Sequence, residues 1–219
     1  GETVVILGGS GAVKSVLIRH TLRLHRPDGG EVRVDGMDLE SFDEDRLMQV
    51  RKKVGMLFQG GALFDSMNVA GNVAFALKEH TAMSESEIRS RVREVLDLVE
   101  LEDVETLMPS DLSGGMRKRV ALARAIALSP AGILYDEPTT GLDPITGDAI
   151  NRLIRSLQSA LNVTSVVVTH DLQSAFTVGD RIAFLYDGRL DFVGTVREAK
   201  STDNPRLREF LRPALAAIA

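Results

Sequence analysis

The residues best able to do chemistry lie near the start of the chain, in the string GGSGAVKS at 8–15. An apolar run, Thr3–Leu7, precedes this string and an apolar-periodic stretch follows it, a layout typical of strand, glycine-rich turn and helix. Main-chain N–H groups of such a turn and the positive helix end converge on an anion, and the lysine adds a full charge. The sequence therefore predicts a nucleotide triphosphate site whose binding residues are Gly8, Gly9, Ser10, Gly11, Ala12, Val13, Lys14 and Ser15.

One residue of this string departs from the usual pattern G-x-x-x-x-G-K-[ST], because Val13 stands where the second glycine belongs. A β-branched side chain there would crowd the phosphates and resist unusual backbone angles. We expect strain and lost contact of about 1–3 kcal/mol, which corresponds to a roughly ten- to hundredfold weaker nucleotide affinity. The sequence thus predicts a triphosphate site together with an impairment of that site.

A second set of candidate residues lies in the string GILYDEPT at 132–139, an apolar strand that ends in adjacent carboxylates. Ligands of open α/β sheets bind at the carboxyl ends of strands, so Asp136 and Glu137 are expected beside the phosphate loop. Asp136 would hold Mg²⁺ with Ser15, and Glu137 would activate water as a general base. A solvated acid pair is the plainer interpretation, but the phosphate loop upstream favours the site.

A third candidate is the string LSGGM at 112–116, which opens a helical pattern running to Leu128. Ser113 is predicted to cap this helix, and Gly114 and Gly115 would expose N–H groups at its positive end as a second anion site. Taken alone, the string fits an ordinary capped helix equally well. The basic residues that follow are interpreted as a solvated helix face; they are Arg117, Lys118, Arg119 and Arg124.

Composition limits the possible classes of protein. With 219 residues and 44% hydrophobic content, the chain fits one α/β domain with a small inserted subdomain. A net charge of −5 argues against nucleic acid as the main partner, and the lack of cysteine excludes disulfides and Cys-ligated metals. No apolar run approaches the roughly 20 residues of a membrane span, and no signal-peptide pattern is present. A membrane role is therefore expected only through a partner.

The pattern along the chain predicts alternating strands and helices. Short runs rich in Val, Ile and Leu predict a mainly parallel sheet, with strands at Thr3–Leu7, 31–34, 54–58, 132–135, 165–169 and Arg181–Tyr186. Apolar stripes predict helices over 85–101 and 144–161, with caps at Ser84 and Asp143. The pair Asp187-Gly188 predicts a hairpin turn. No strand pattern interrupts 68–129, which indicates a helical insertion.

Taken together and in this order, the motifs resemble those of the ATPase subunits of ABC transporters, over essentially the whole chain from Thr3 onward. The resemblance implies an α/β fold of the P-loop NTPase (RecA-like) type, with a mainly parallel sheet and an inserted α-helical subdomain. It implies one domain over 1–219, with the α/β core at 1–66 and 127–219 and the helical subdomain at 67–126. It also implies that the family's first strands and adenine-stacking aromatic residue would precede Gly1.

The same resemblance assigns a role to each motif. It makes 8–15 the Walker A loop, 112–116 the signature, 141–144 the D-loop, and Gln59 and His170 the Q-loop and switch residues. The implied catalytic residues are Lys14, Gln59, Glu137 and His170. The implied Mg²⁺ ligands are Ser15, Gln59 and Asp136. The nucleotide contacts implied across a head-to-tail dimer are Ser113, Gly114, Gly115 and Asp143. Without the resemblance, Gln59 fits a plain loop residue and His170 a surface residue.

A finer resemblance comes from the segment Gly61 to Thr81 and from the strings LMPSDLSGGM and DPITGDAI. They are similar to the ATPase of bacterial phospholipid transporters that maintain outer-membrane lipid asymmetry. This implies ATP and Mg²⁺ as cofactors, a second ATPase subunit, and an integral membrane permease that contacts the segment Gly61 to Thr81 at the cytoplasmic face of the inner membrane. The alternatives are an importer ATPase for another solute, a soluble ABC ATPase as in iron–sulfur assembly, and a nucleotide-responsive subunit with impaired hydrolysis.

Overall fold

The computed structural model describes residues 1–9, 13–34 and 36–216. Its strands are β1 (Thr3–Leu7), β2 (Arg33–Val34), β3 (Met37–Asp38), β4 (Val54–Leu57), β5 (Gly132–Asp136), β6 (Thr164–Thr169), β7 (Arg181–Tyr186) and β8 (Arg189–Thr195). Six of them form one sheet in the order β4-β5-β6-β1-β7-β8, in which only β8 runs antiparallel to its neighbour. The pair β2 and β3 forms a separate antiparallel ribbon.

Helices connect these strands. They are α1 (Lys14–His20), α2 (Glu44–Lys53), α3 (Val69–His80), α4 (Glu85–Leu98), α5 (Gly114–Ile126), α6 (Pro144–Leu161), α7 (Leu172–Val178), α8 (Val196–Lys200) and α9 (Pro205–Ala216). Among the described residues, no helix combines the length and apolar character needed to cross a bilayer. The α/β class with a mainly parallel sheet, expected from the sequence, is confirmed.

The predicted elements agree with the observed ones except at their ends. The hairpin at Asp187-Gly188 and the capping box of Ser84 are present, and no strand lies in the described chain between 68 and 129. The strand predicted over 31–34 pairs only at Arg33–Val34, because its partner β3 is equally short. The helix predicted over 85–101 ends at Leu98, two residues before Glu100 adopts a left-handed φ of 57°.

The central strands are buried on both faces. In β1, Val5 and Leu7 point into the larger core, together with α5 and α6, whereas Ile6 points to the opposite face and packs with Ile18 of α1. Side chains alternate between the two faces of a strand, so a continuous apolar run is what a doubly covered parallel strand requires. Burial on both faces fixes the position of this strand and of the loop that follows it.

The strand order brings three chemical segments to one edge of the sheet. β6 lies between β1 and β5, with Leu7 in register with Thr169 and Asp136 in register with Val168. Because these strands are parallel, the loops that begin at Gly8, Glu137 and His170 leave the sheet side by side. This carboxyl edge is where open α/β sheets bind ligands.

The start of β1 is tied to the rest of the fold by Asp180. Its carboxylate accepts a hydrogen bond from Arg155 at 2.7 Å and one from the main-chain N–H of Thr3 at 2.8 Å. These bonds, chiefly the one from Arg155, hold the pKa of Asp180 below its ordinary value. The carboxylate therefore favours the folded state only while it is ionised.

We expect Asp180→Asn to lose less stability than the unchanged protein as the pH falls. In a plot of the free energy of unfolding against pH, the variant should therefore have a flatter acid limb. A depressed folded pKa contributes stability above the unfolded pKa of about 3.9, and that contribution disappears as the pH falls through the folded value. Urea unfolding at neutral pH and at about pH 3 measures the difference. Arg155→Gln should change the limb in the same direction, since it removes the main cause of the shift. Identical acid limbs in all three proteins would contradict this role of Asp180.

Candidate functional site

The phosphate loop begins where β1 ends, and Lys14 occupies the first turn of α1. Its ammonium group donates to the carbonyl oxygens of Gly8 at 2.9 Å and Gly9 at 3.0 Å, and the residue is 6% exposed. Burial lowers the pKa of Lys14, although the nearby charges of Glu137 and Asp136 oppose this shift. The side chain of Lys14 therefore reaches from the start of α1 back to the beginning of the phosphate loop. Ser10, Gly11 and Ala12 lie outside the described residues.

Val13 adopts an unusual backbone conformation of the kind that a β-branched residue resists. Its φ of 49° and ψ of 19° place it in the left-handed region, where β-branched residues are rare. The side chain is 56% exposed, so core packing does not compensate for the strain. It precedes Lys14 directly. The effect of Val13 on nucleotide affinity stays a prediction.

Ser15 and Asp136 meet at the head of α1. The serine hydroxyl donates to Asp136 Oδ1 at 2.5 Å, and Asp136 is only 1% exposed. Arg19, one helical turn after Ser15, places its Nη2 atom 3.6 Å from Asp136 Oδ2. This Oδ2 atom is buried and has no hydrogen-bond partner among the described residues. A buried carboxylate oxygen with an unfilled acceptor position, beside a hydroxyl, fits the oxygen ligands that Mg²⁺ prefers.

No group of three or more His, Cys, Asp or Glu side chains that could hold a metal occurs in the described part of the chain. Mg²⁺ commonly takes only one or two protein ligands and completes its shell with phosphate oxygens and water. The pair of Ser15 and Asp136 is therefore sufficient for an ion that arrives with a triphosphate.

Glu137 is held by several hydrogen-bond partners. Its Oε1 lies 2.9 Å from Nδ1 of His170, and its Oε2 accepts from the hydroxyls of Thr140 at 3.2 Å and Thr169 at 3.4 Å. The residue has a left-handed φ of 48°, and its main-chain N–H donates to Val168. Because Glu137 directly follows β5, its carboxylate lies at the carboxyl edge of the sheet. His170 is exposed and open to a ligand.

The interpretation of the basic residues on α5 as a solvated face is wrong for Lys118, Arg119 and Arg124, which are buried or half-buried, whereas Arg117 is exposed. Lys118 is buried and donates to the main-chain carbonyl of Gln59. The other basic groups also donate to main-chain carbonyls: Arg117 to Leu112, Arg119 to Val99, and Arg124 to Gly61 and Ala62. Burial lowers the pKa of Arg124. Their long side chains reach loops packed around the helix, which a linear charge pattern does not reveal.

The LSGGM segment forms the predicted capped helix start. Ser113 Oγ accepts from the N–H of Met116 at 3.2 Å. A methyl group added at Gly115 would lie 2.7 Å from Thr146 Cγ2, and one added at Gly114 would lie 3.2 Å from Leu142 Cδ2. The glycines therefore allow α5 to pack closely against the start of α6. Within the described residues, no hydrogen bond joins this segment to Lys14.

Asp143 has the structural role predicted for it, as the N-cap of α6. Its Oδ1 accepts from the N–H groups of Thr146 at 3.0 Å and Ile145 at 3.1 Å, with Pro144 in the first turn. These bonds, led by those from Thr146, lower the pKa of Asp143. The aspartate is exposed, so it also remains accessible to a second molecule.

The structure thus divides the predicted residues into two groups. One group lies at the carboxyl edge of the sheet and comprises Gly8, Gly9, Lys14, Ser15, Asp136, Glu137 and His170, with Gln59 on the loop after neighbouring β4. The other group comprises Ser113, Gly114 and Gly115 at the start of α5, whereas Asp143 lines a cavity of about 260 Å³ together with His170. Sequence reasoning missed Arg19, Thr140 and Lys118. For Arg19, the signal was its spacing of four residues from Ser15 on one helix.

Comparison with known sequences identifies relatives of the whole chain. Residues 1–140 match the profile of the family described as "ABC transporter". The chain is 44% identical, over 96% of its length and 78% of the relative, to the "Intermembrane phospholipid transport system ATP-binding protein MlaF" of Escherichia coli K12. It is 43% identical, over 96% of its length and 61% of the relative, to the "Probable ribonucleotide transport ATP-binding protein mkl" of Mycobacterium leprae.

Solved structures give the same relationship. A dimeric post-hydrolysis state of the ATP-binding cassette MJ0796, bound to ADP and Pi, matches with a TM-score of 0.81 and 38% identity, over 90% of this chain and 86% of that one. The protein cbiO1 of Clostridium perfringens, part of the ABC transporter complex cbiONQ, matches with a TM-score of 0.84 and 28% identity, over 99% and 87%. The chain therefore belongs to the ABC transporter family, as an ATP-binding subunit.

Proposed function

We propose that this subunit hydrolyses ATP, as Mg·ATP, to power phospholipid transport through a membrane permease. The observation that carries hydrolysis is the arrangement at the sheet edge. Glu137 is fixed by His170 on one oxygen and by two hydroxyls on the other, next to the Ser15–Asp136 pair. A carboxylate held in this way is suited to orient and deprotonate an attacking water.

Each residue of the edge has a proposed task. The phosphate loop and Lys14 bind the phosphates, and His170 donates to the γ-phosphate. Ser15, Asp136 and Gln59 hold Mg²⁺, which when bound neutralises charge on the phosphates. Glu137 takes a proton from water. The fixed positions of these groups contribute to catalysis because little reorganisation remains for the reaction itself.

We further propose that two copies assemble head to tail, with Ser113, Gly114, Gly115 and Asp143 of one copy contacting the nucleotide of the other. Support comes from the exposure of Ser113 and Asp143, and from the dimeric state of the MJ0796 cassette. In this assembly, 67–126 acts as a helical subdomain of the single domain 1–219. ATP would stabilise closure through contacts that exist only in the closed state.

The permease is proposed to bind the segment Gly61 to Thr81. This segment borders an apolar groove of about 390 Å³, in which Phe64 and Phe75 pack with ring centroids 4.9 Å apart. Exposed aromatic pairs of this kind are typical of interfaces. The subunit would then lie at the cytoplasmic face of the inner membrane. Phospholipid as cargo rests on the printed function of the MlaF relatives, and another solute is the alternative.

Val13 favours a second candidate function. Its left-handed backbone and exposed side chain at the phosphate loop support a subunit that binds ATP weakly, and that responds to nucleotide with little turnover. Measured phosphate release separates this candidate from the first.

The transport proposal is tested by the double variant Phe64→Ser/Phe75→Ser. We expect Mg²⁺-dependent phosphate release to persist, because both phenylalanines line the groove and none of the edge residues does, whereas co-purification with the native membrane partner is lost. The matched control is Met83→Ser, since Met83 is as exposed (41%) as Phe64 (40%) but lies outside the groove.

In proteoliposomes containing the native membrane partner, ATP should drive transfer of a fluorescent phospholipid. The absence of ATP-driven phospholipid transfer would contradict the proposed transport function.

A further inference from the structure

Lys118 is a buried cation that lies between two loops of the candidate site. It is 6% exposed, and its ammonium donates to the main-chain carbonyl of Gln59. The same Nζ lies 3.5 Å from the main-chain carbonyl oxygen of Glu137. No other hydrogen bond within the described ranges joins these two loops. One side chain on α5 therefore spans the residues proposed to hold Mg²⁺ and to activate water.

Arg124, on the same helix, extends this attachment along the loop after β4. Its guanidinium donates to the carbonyl oxygens of Gly61 at 2.8 Å and Ala62 at 2.7 Å, and it lies 5.6 Å from the ring centroid of Phe64. With Lys118, α5 therefore binds three carbonyl groups of this loop. Hydrogen bonds from charged donors are roughly twice as strong as neutral ones, so the loop is firmly attached to the helix.

Two nearby carboxylates offset part of the cost of burying the Lys118 ammonium. Burial lowers the pKa of Lys118, whereas the carboxylates of Asp136 and Glu137 act in the opposite direction. An ammonium with three N–H donors can serve two carbonyls at once and still face negative charge. A methionine side chain, which has a similar length, offers neither the charge nor the N–H donors.

We propose that Lys118 is a positioning residue for ATP hydrolysis, fixing the main chain of Gln59 relative to that of Glu137. The inference rests on the proposed ATPase function and goes beyond it in naming what sets this distance. α5 begins with the LSGGM segment, so Lys118 also links the position of that segment to both loops. A shift of α5 would move the loop carrying Gln59 and the turn carrying Glu137 together.

The test compares Lys118→Met, Lys118→Arg and Arg119→Gln. Lys118→Met keeps side-chain volume but removes the donors, so we expect kcat to fall about 10- to 100-fold while ATP affinity changes by less than about twofold. Lys118→Arg should restore most of the rate. Arg119→Gln is the matched control. Arg119 follows Lys118 on α5 and also donates to a main-chain carbonyl, but this carbonyl belongs to Val99 and not to the loops that carry Gln59 and Glu137. It should leave kcat unchanged.

Rates are measured in the natural chain and in a Val13→Gly background, because weak ATP binding alone could hide turnover. If no variant in either background releases phosphate, the proposed ATPase function fails. Hydrogen exchange then decides the role of Lys118: amides at 59–62 and 137–140 should exchange faster in Lys118→Met but not in Arg119→Gln. An unchanged kcat in Lys118→Met, a loss equal to that in Arg119→Gln, or unchanged exchange where no variant turns over would overturn the proposal.

Discussion

Replacing Glu137 with glutamine is expected to lower the ATP turnover number by about 10²- to 10⁴-fold, with ATP affinity nearly unchanged. The amide has the shape of the carboxylate and can still receive the hydroxyls of Thr140 and Thr169, but it cannot take a proton from water. The affinity should persist because the phosphates are proposed to be bound by other groups, chiefly Lys14. Binding without turnover is thus the expected outcome.

Phosphate release at saturating ATP measures the rate, and a fluorescent ATP analogue measures binding. Glu100→Gln is the matched control, because Glu100 is an exposed carboxylate whose partner is Arg119, away from the sheet edge. His170→Ala should also lower the rate, since it removes the partner at 2.9 Å from Glu137 Oε1. Turnover at the natural rate in Glu137→Gln would exclude this residue as the general base.

Val13→Gly is expected to strengthen ATP binding about ten- to hundredfold. Glycine adopts a φ of 49° without the penalty that a β-branched residue incurs there, and the change removes an exposed side chain directly before Lys14. A release of about 1–3 kcal/mol corresponds to this range of affinity. Val13→Ala should fall between the two, because it removes the branch but keeps Cβ. Calorimetric titration with Mg·ATP measures all three proteins.

The control for this experiment is Asp103→Gly. Asp103 is also a non-glycine residue with a left-handed φ, 55°, but it lies on the exposed surface after α4. Relief of strain there should change the free energy of unfolding without changing ATP affinity. If Val13→Gly and Asp103→Gly affect binding equally, or if neither affects it, crowding and strain at the phosphate loop do not limit nucleotide binding.

Much of the sheet could be predicted from the sequence because β1, β5 and β6 are buried on both faces. A continuous apolar run is then required at each strand, and the polar residues at its end mark the ligand edge. Helix α2 could not be predicted in this way. Among its residues only Leu47 and Val50 are buried, so it shows too weak an apolar stripe to be recognised.

The sequence could locate site residues only where their positions follow from the order of strands, loops and helices. Glu137 directly follows β5, and Lys14 and Ser15 begin α1 after the loop that follows β1, so their places follow from topology. The roles of Lys118 and Arg124 could not be predicted, because a flexible side chain of four or more bonds can end in solvent or on a carbonyl across a loop. Their targets become visible only when the packing of α5 against the loop after β4 is known.

The close contact of Gly115 with Thr146, and of Gly114 with Leu142, has a consequence for assembly. A side chain at Gly115 would push α5 away from the start of α6, whereas at Gly114 the terminal methyl of Leu142 would have to shift by only a few tenths of an ångström. Because Asp143 caps α6, we expect a bulky replacement at Gly115 to displace this aspartate together with the start of α6. The helix caps Ser113 and Asp143 therefore keep their relative positions, which a second copy would have to match, only while residue 115 has no side chain.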